Sequence, residues 1–426
     1  MAESGQTGQG GQKSEIRLTD AVQRVAKEQN LKIKPTIDAF LSVLKEQYSD
    51  RFRFNVMTGK QEFLGKDDQW HEWTDGMDSF IRQWFQSTMW LYNNNMLDDA
   101  MKIFMTEHQV NPLVEKLDSL EWDGAERIGQ FLHFAAKCPD DAYHREVSRL
   151  IFAGGVWRAY RPGCKFDDMV VLIGGQSAGK STIVRWLNIE DQFFREIKTI
   201  SGKEGIEIIR GAWIAEVAEL MAMTRVKETE AVKAYITSQE DTYRQPYAKH
   251  VQTIPRRCVF IGTTNNPQFL TDRTGNRRFY PVNTDRDGYD LFEHEAEIRA
   301  YIEKCWAEAV HKFKEGKMKP YASRELIDII REAQENAMED DWRIGAIEQY
   351  LEDTKKKPND YVSVIELWYN ALGNPSETKP TRKDSIEIGQ IMTQIGGWKR
   401  YEKPVRTAWG HQKVFRKDQK FYPFWM

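Results

Sequence analysis

The spacing of apolar side chains changes several times along the first hundred residues, and each change predicts a new element. One segment has apolar residues at i, i+3, i+4 and i+7, the periodicity of a helix face: Ile37, Phe40, Leu41 and Leu44. RFRFNVMTGKQEFL alternates apolar and polar residues on both sides of TGK, which indicates a β-hairpin. SFIRQWFQSTMWLY returns to helical spacing. With a further helix predicted from Ile16, residues 16–110 form a small mixed domain without an evident chemical motif.

In the middle of the chain the spacing of apolar residues differs from that of the first hundred residues. Residues 111–165 are helical in pattern, with EWDG as a turn, and we expect a helical region involved in subunit assembly. From residue 166 to 340, short apolar runs such as MVVLI and CVFI alternate with helical segments. Short, continuously apolar strands separated by helices are typical of a parallel sheet covered on both faces. The sequence therefore predicts an α/β core over residues 166–340.

The last part of the chain, residues 341–426, changes character again. VSVIELWYNAL and DSIEIGQIMTQI predict two helices, and GWKRYEKPVRTAWGHQKVFRK predicts a hairpin. Two helices followed by a hairpin is the order of a winged helix. Residues 379–420 contain 11 Lys or Arg and 4 Asp or Glu, a local charge of 11 − 4 = +7. We therefore expect a winged-helix-like DNA-binding domain here.

Composition limits the remaining possibilities. Of 426 residues, 40% are hydrophobic and 29% charged, and the net charge is −3, so any nucleic-acid site must be local. The four cysteines are far apart, which argues against a zinc motif or a disulfide framework and fits a reducing cytosol. No secretory leader and no apolar run of roughly 20 residues is seen, so we expect a cytoplasmic protein without a membrane partner. Residues 1–15 have almost no apolar side chains and are expected to be a disordered tail.

A Gly-rich segment between a predicted strand and a predicted helix matches G-x4-G-K-[ST]. Such a loop turns its backbone N–H groups toward phosphate, and the following helix adds its positive end. A chance Gly-rich turn is the alternative, but the strand and helix around it favour a P-loop that binds ATP with Mg²⁺. Lys180 is expected to reach the β- and γ-phosphates and Ser181 to hold Mg²⁺. The nucleotide-binding candidates are Gly174, Gly175, Gln176, Ser177, Ala178, Gly179, Lys180, Ser181 and Thr182.

A P-loop ATPase also needs an acid at a nearby strand end, to complete the Mg²⁺ shell and polarise water. Glu216 directly follows the apolar run AWIA, where a strand should emerge, and Glu219 is the reserve candidate. Both residues are alternatively surface acids of a helix. We expect Glu216 to be catalytic and to bind the metal.

Two further polar groups have the positions that phosphoryl transfer requires. Asn265, or alternatively Asn266, follows the apolar run CVFIGTT and is expected to orient water at the γ-phosphate, although Asn also simply favours turns. Arg277 and Arg278 lie in GNRRF, and arginine stabilises charge on a transferring phosphoryl group, often from a neighbouring subunit. For Arg273 a salt-bridged turn is an equally good interpretation.

These motifs, taken in order, resemble a known group. Between the acid Glu216 and Asn265 the chain also has a basic Lys-His pair, Lys249 and His250. The order of P-loop, strand-end acid, Lys-His pair and strand-end Asn is similar to that of superfamily 3 helicases, which include papillomavirus and polyomavirus replication helicases. The strings RPGCKFDDMVVLIGGQSAGKST, VKAYITSQEDTYRQPYAKHVQTIPRR and LTDRTGNRRFYPV more closely resemble the virulence-associated protein E family of prophages and phage satellites. One departure is that Glu216 is followed by Val217, whereas many of those helicases have two adjacent acids.

The resemblance implies a function. It implies an AAA+-type core in a ring, a hexamer, that hydrolyses ATP between subunits and draws one DNA strand through its channel. It also implies a hairpin at Tyr247–Thr253, with Lys249 and His250 at its tip holding the DNA backbone. The expected function is a replication helicase of a mobile element, whose C-terminal domain binds duplex DNA at an origin. A primase partner would be a separate chain.

Two other functions fit parts of the sequence. One is a nucleotide-switched DNA-binding regulator without motor activity, which strand displacement would exclude. The other is a P-loop phosphotransferase acting on a small substrate. The Lys249–His250 pair and the lack of a substrate-lid pattern argue against the second.

Overall fold

The N-terminal part is a four-stranded sheet covered by helices. The computed structural model describes residues 34–197, 202–218, 226–243, 251–270, 276–284, 289–338, 341–353 and 360–417. The helix predicted from Ile16 and the predicted tail lie outside these ranges. The N-terminal elements are α1 (Ile37–Tyr48), β1 (Phe52–Asn55), β2 (Lys60–Leu64), β3 (Trp70–Glu72), α2 (Asp75–Thr88), α3 (Asn94–Glu107) and β4 (Gln109–Val110).

The predicted hairpin and helix of this region are confirmed. β1 and β2 pair antiparallel with Phe52 opposite Phe63, and the sheet order is β3-β2-β1-β4. α1 begins after Thr36, whose hydroxyl accepts a hydrogen bond from the backbone N–H of Ala39 at 3.2 Å. Phe40 and Leu44, on the predicted apolar face, are completely buried.

Helices α4 (Pro112–Asp118), α5 (Phe131–Ala136) and α6 (Ala142–Tyr160) follow. They share one hydrophobic cluster with α10 (Glu295–Lys314) and with one face of the central sheet. The region predicted at 111–165 is therefore packed directly on the α/β core as one of its layers. Its helices bury their apolar side chains against the sheet rather than against each other alone.

The central sheet has five parallel strands: β5 (Met169–Ile173), β6 (Phe194–Ile197), β7 (Ile214–Val217), β10 (Val259–Thr264) and β11 (Phe279–Asn283). Their order across the sheet is β11-β5-β10-β7-β6. Along β5, Val170 and Leu172 join one hydrophobic cluster, and Met169, Val171 and Ile173 join the other. Both faces are covered, which explains why the strand reads as continuously apolar.

Further helices and a hairpin connect these strands. α7 (Lys180–Leu187) follows β5, and α8 (Gly202–Ile208) precedes β7. After α9 (Val226–Thr237), strands β8 (Glu240–Tyr243) and β9 (Gln252–Pro255) pair antiparallel and lead into β10. α11 (Ile327–Asn336) packs against β11, where Gln334 Nε2 donates a hydrogen bond to the carbonyl oxygen of Phe279 at 2.9 Å.

The C-terminal part is a small mixed α/β unit. Its elements are α12 (Trp342–Glu352), β12 (Tyr361–Ser363), α13 (Val364–Glu366) continued by a π-helical turn at Leu367–Ala371, α14 (Arg382–Ile395), β13 (Trp398–Thr407) and β14 (Gly410–Lys417). The three strands form a sheet in the order β12-β14-β13. The first predicted helix begins later than its sequence pattern indicated. Ser363 ends a strand and caps the helix in a reciprocal capping box with Glu366.

In the parts of the chain that the structure describes, we find no helix that combines the length and the apolar character needed to cross a bilayer.

Candidate nucleotide-binding site

The P-loop connects the carboxyl end of β5 to the first turn of α7. Ser177 and Gly179 both have left-handed backbone conformations, with φ of +67° and +72°. At Gly179 a side chain has no room, because an added Cβ would lie 2.6 Å from Cδ2 of Leu291. Around Gly175 an added Cβ would meet nothing within 4 Å, so this part of the loop is open. The loop is thus closed toward the core and accessible on its outer side.

The first turn of α7 has the properties of an anion site. Its N-cap residue is Gly179, which provides no side-chain cap, and the turn is closed by the Ile183 N–H donating to the Gly179 carbonyl at 3.0 Å. The uncapped backbone N–H groups of this turn and the positive end of the helix face the loop. Phosphate groups fit this environment.

Lys180 lies almost buried beneath the loop, with 8% of its surface exposed. Its ammonium group donates hydrogen bonds to the carbonyl oxygens of Gly174 and Gly175, both at 2.7 Å, and to Oδ1 of Asn265 at 2.9 Å. These acceptors offset the cost of burying the charge. Lys180 and Asn265 were both predicted site residues, and the structure brings them into direct contact.

Glu216 is the second centre of the site. It is 2% exposed, and its Oε1 accepts hydrogen bonds from the hydroxyls of Ser181 at 2.6 Å and Thr263 at 2.7 Å. It lies within β7 as the third of four residues, not after the strand as the sequence pattern indicated. β7 is separated from β5 by β10, so the contact with Ser181 crosses the end of an intervening strand. The reserve candidate Glu219 lies outside the described residues.

The hydroxyl of Ser181 and the carboxylate of Glu216 form a donor set suited to Mg²⁺. Magnesium prefers oxygen ligands and usually keeps several of its waters, so one or two protein oxygens beside a phosphate are sufficient. The two groups share a hydrogen bond and lie at the same edge of the sheet as the P-loop. The residues present therefore fit the predicted ion.

The two candidate asparagines have different roles. Asn265, directly after β10, contacts Lys180 through its side-chain oxygen. Asn266 instead stabilises a turn, because its Oδ1 accepts from the backbone N–H of Gln268 at 3.0 Å and its Nδ2 donates to the Gln268 carbonyl at 2.8 Å. The geometry favours Asn265 over Asn266 as a member of the candidate site, because only Asn265 contacts Lys180.

Arg277 and Arg278 are not part of this cluster. They directly precede β11, which is parallel to β5 with Phe279 opposite Met169, so they lie at the amino edge of the sheet. The P-loop lies at the carboxyl edge. Nε of Arg278 is 3.5 Å from Oδ2 of Asp167, while Arg277 is exposed. Arg273 lies outside the described residues.

Sequence analysis missed an acidic pair beside these arginines. The pKa of Asp168 is raised to about 7, chiefly by burial and also by the charge of the neighbouring Asp167, whereas a hydrogen bond from Tyr280 and the charges of Arg149 and Arg278 oppose the shift. The adjacent acids in FDDMVV, directly before a buried strand, were the available signal. The pattern of residues along the chain does not indicate that these acids lie beside arginines 110 positions later.

The base of the β8–β9 hairpin is fixed by buried arginines. Arg256 is 3% exposed, and its guanidinium forms an ion pair with Asp241, with Nε 2.9 Å from Oδ2. Arg158 of α6, 1% exposed, donates to the carbonyl oxygens of Arg256 at 3.2 Å and Phe166 at 3.1 Å. The sequence analysis missed both arginines, because their partners, the Asp241 carboxylate and several backbone carbonyl groups, are distant from them in sequence.

The predicted DNA contacts lie outside the described residues. Lys249 and His250 fall between β8 and β9, in the undescribed residues 244–250. The hairpin strands begin at Glu240, so the predicted hairpin Tyr247–Thr253 overlaps only the second strand and the connecting segment. The predicted segment was too short because the first strand, EDTY, is too polar to be recognised from its sequence.

Comparison with known proteins shows the family to which the chain belongs. A model of the virulence-associated protein E-like domain matches residues 117–339, more than half of the chain. An apo structure of the NrS-1 C-terminal region is similar with a TM-score of 0.54 at 12% identity, covering 89% of this chain and 99% of that one. The A form apo structure of the same region is similar with a TM-score of 0.52 at 12% identity, covering 90% of this chain and 100% of that one. These likenesses concern the fold, and no curated protein matches the sequence. The chain belongs to the virulence-associated protein E-like family.

Proposed function

We propose that this protein is an ATP-dependent DNA helicase that acts as a ring, a hexamer, in the replication of a mobile element such as a prophage or phage satellite. The observation that carries the proposal is the position of the polar groups on the sheet. Lys180 and Ser181 of the P-loop segment, Glu216 of β7 and Asn265 at the end of β10 converge at the carboxyl edge. Numbered along the chain, the strand order is 5-1-4-3-2, as expected for an AAA+-type core.

ATP hydrolysis follows from these groups. The P-loop N–H groups and the α7 N-terminus hold the phosphates, and Lys180 exchanges its carbonyl acceptors for the β- and γ-phosphate oxygens. Ser181 and Glu216 would hold Mg²⁺, which would supply neutralisation of phosphate charge when bound. Asn265 orients the attacking water, and Glu216 polarises it.

The arginine position supports a shared site. A residue at the amino edge is separated from its own P-loop by the length of the strand, since five residues span about 16 Å. Arg278, or alternatively Arg277, therefore reaches the nucleotide of a neighbouring subunit in a ring and stabilises charge on the transferring phosphoryl group. This arrangement makes hydrolysis dependent on assembly.

DNA contacts follow from two basic elements. Lys249 and His250 hold the DNA strand backbone in the channel. The chain then continues through β9 into β10, which ends directly before Asn265. The C-terminal winged-helix-like domain contacts duplex DNA. Between Trp398 and Lys417 there are 7 basic residues and 1 acid, a charge of 7 − 1 = +6, and all seven basic residues are exposed. In contrast, α14 has two basic and two acidic residues, so the hairpin supplies most of the phosphate attraction.

The test combines three measurements on the full chain. We expect ATP hydrolysis that single-stranded DNA stimulates, displacement of a strand from a forked duplex, and closed rings in single-particle images with ATP. Nucleotide-dependent DNA binding without strand displacement would instead identify the regulator. Hydrolysis that is indifferent to DNA, with monomers only, would contradict the proposal. A primase, if required, is a separate partner.

A further inference from the structure

A second cavity lies away from the nucleotide site. Its volume is about 250 Å³, and it is enclosed by three separate parts of the chain. These are the β1–β2 hairpin, the end of α8 with the segment after it, and strands β8 and β9 with the link to β10. The backbone N–H of Gly211 donates to the carbonyl oxygen of Met57 at 2.9 Å, which joins the first two parts directly. The cavity is thus built at the contact between the N-terminal domain and the core.

The walls of this cavity are mostly apolar, but three arginines and the carboxylate of Asp241 also line it. Phe54, Met57, Ile206 and Ile254 contribute apolar surface. Arg210 and Arg257 are the basic lining residues outside the Arg256–Asp241 ion pair. An apolar space with a few polar groups is the usual composition of a small-molecule site, and the volume is near the lower end for such sites, about 300 Å³.

Arg257 is the unusual member of this lining. Its Nε is fully buried and has no hydrogen-bond partner among the described residues. Burial lowers the pKa of its guanidinium, and no nearby acid offsets the effect. The adjacent Arg256 differs, because Asp241 pairs with it and the pKa of Arg256 is raised. A partly buried cation without a counter-charge is costly, and an anion in the cavity would remove that cost.

We propose that this cavity binds a small organic phosphate, with the phosphate on the guanidinium of Arg257 and the organic part against the apolar walls. Arginine presents a planar fork of donors that matches phosphate oxygens. Inorganic phosphate alone would leave the apolar surface uncovered. Because the walls come from the N-terminal domain and the hairpin base, the ligand holds these two parts together. This site does not depend on the proposed ATPase.

The experiment uses the full chain with Lys180→Ala, so that the P-loop does not contribute phosphate binding. Phenyl phosphate, benzoate, phenol and inorganic phosphate are titrated by calorimetry, and the melting temperature is followed in parallel. We expect phenyl phosphate to bind at least tenfold more tightly than the other three. Equal affinity for benzoate would assign a carboxylate ligand and overturn the phosphate proposal. Equal affinity for inorganic phosphate would indicate an adventitious ion only.

Two variants connect this binding to the cavity. Arg257→Met is expected to weaken the binding of phenyl phosphate at least tenfold. It should also raise the melting temperature of the ligand-free protein, because an apolar side chain of similar length replaces an unpaired, partly buried charge. Ile254→Trp adds volume at the cavity wall while keeping Arg257, and should also abolish binding. Arg324→Met, at an exposed position, is the control that should change neither property. Unchanged binding in both cavity variants, or a lower melting temperature for Arg257→Met with binding retained, would overturn the proposal.

Discussion

The hydroxyl of Ser181 donates a hydrogen bond to the carboxylate of Glu216 at 2.6 Å, although the two residues are 35 positions apart. Ser181 belongs to α7, next to β5, while Glu216 belongs to β7, and β10 lies between the two strands. The contact therefore spans the carboxyl edge of the sheet. It brings the two proposed magnesium ligands together.

Lys180→Ala is expected to abolish ATP hydrolysis while leaving the fold intact. Loss of the cation removes charge stabilisation of the transition state, which corresponds to at least about 10²-fold in rate. Phosphate release measures the activity, and circular dichroism checks the fold. A folded variant that hydrolyses ATP at the wild-type rate would show that the P-loop assignment is wrong.

Glu216→Gln is expected to reduce hydrolysis by about 10²–10³-fold and to retain ATP binding. The amide keeps the shape of the side chain and can still accept from Ser181, but it neither binds Mg²⁺ as strongly nor polarises water. Fluorescent-nucleotide binding and phosphate release separate the two effects. Thr263→Val is the matched control. It removes one hydrogen bond to Glu216, worth about 1 kcal/mol, and should slow hydrolysis about fivefold. Equal losses in both variants would contradict a catalytic role for Glu216.

Replacing both Lys249 and His250 by Ala is expected to separate hydrolysis from unwinding. Neither residue is assigned to the nucleotide site, so basal hydrolysis should continue. The variant should no longer bind the DNA backbone in the channel, so both the stimulation of ATP hydrolysis by DNA and strand displacement should be lost. The measurement is a forked-duplex assay beside a phosphate-release assay. Normal unwinding by the double variant would exclude the hairpin from DNA translocation.

Arg278→Ala is expected to act on a neighbouring subunit. ATP binding should be nearly unchanged, and hydrolysis should fall by about 10³–10⁵-fold if this arginine completes the site. Arg277→Ala is tested in parallel, because it is the alternative.

Mixing distinguishes action in trans from action in cis. Arg278→Ala subunits supply intact P-loops, and Lys180→Ala subunits supply intact arginines. Rings containing both should regain part of the activity that each lacks alone. If verified mixed rings stay inactive for either arginine, these residues act within their own subunit or stabilise the fold.

Asp168→Asn is expected to stabilise the protein more at pH 8 than at pH 5. The folded-state pKa is raised from 3.8 to about 7, chiefly by burial. Between these values the folded protein keeps a proton that the unfolded chain has lost, so wild-type stability falls as pH rises from 4 to 7. Asparagine cannot ionise and removes this loss. Melting temperatures at both pH values test the prediction, with the exposed Asp99→Asn as control. Equal stabilisation at both pH values would contradict it.

Local patterns determined much of the fold and the nucleotide site. The P-loop, the strands around it, and the candidates Glu216 and Asn265 were evident because short apolar strands and Gly-rich turns depend on nearby residues. Family membership was also predictable from the motif strings, and the match to residues 117–339 confirms it. The first strand of the hairpin, EDTY, was not predicted, because its pairing with β9 rather than its own sequence makes it a strand.

Only the tertiary structure decided which groups meet. The sequence left Asn265 and Asn266 as alternatives, and the strand order placed Asn265 on Lys180 while Asn266 turned back to its own backbone. The positions of Arg278 and Asp167 at the opposite edge follow from the parallel pairing of β11 with β5. The unpaired Arg257 is equally invisible in the sequence, where it is one of two adjacent arginines. Contacts of this kind depend on sheet register and on burial, which are set by the whole chain rather than by neighbouring residues.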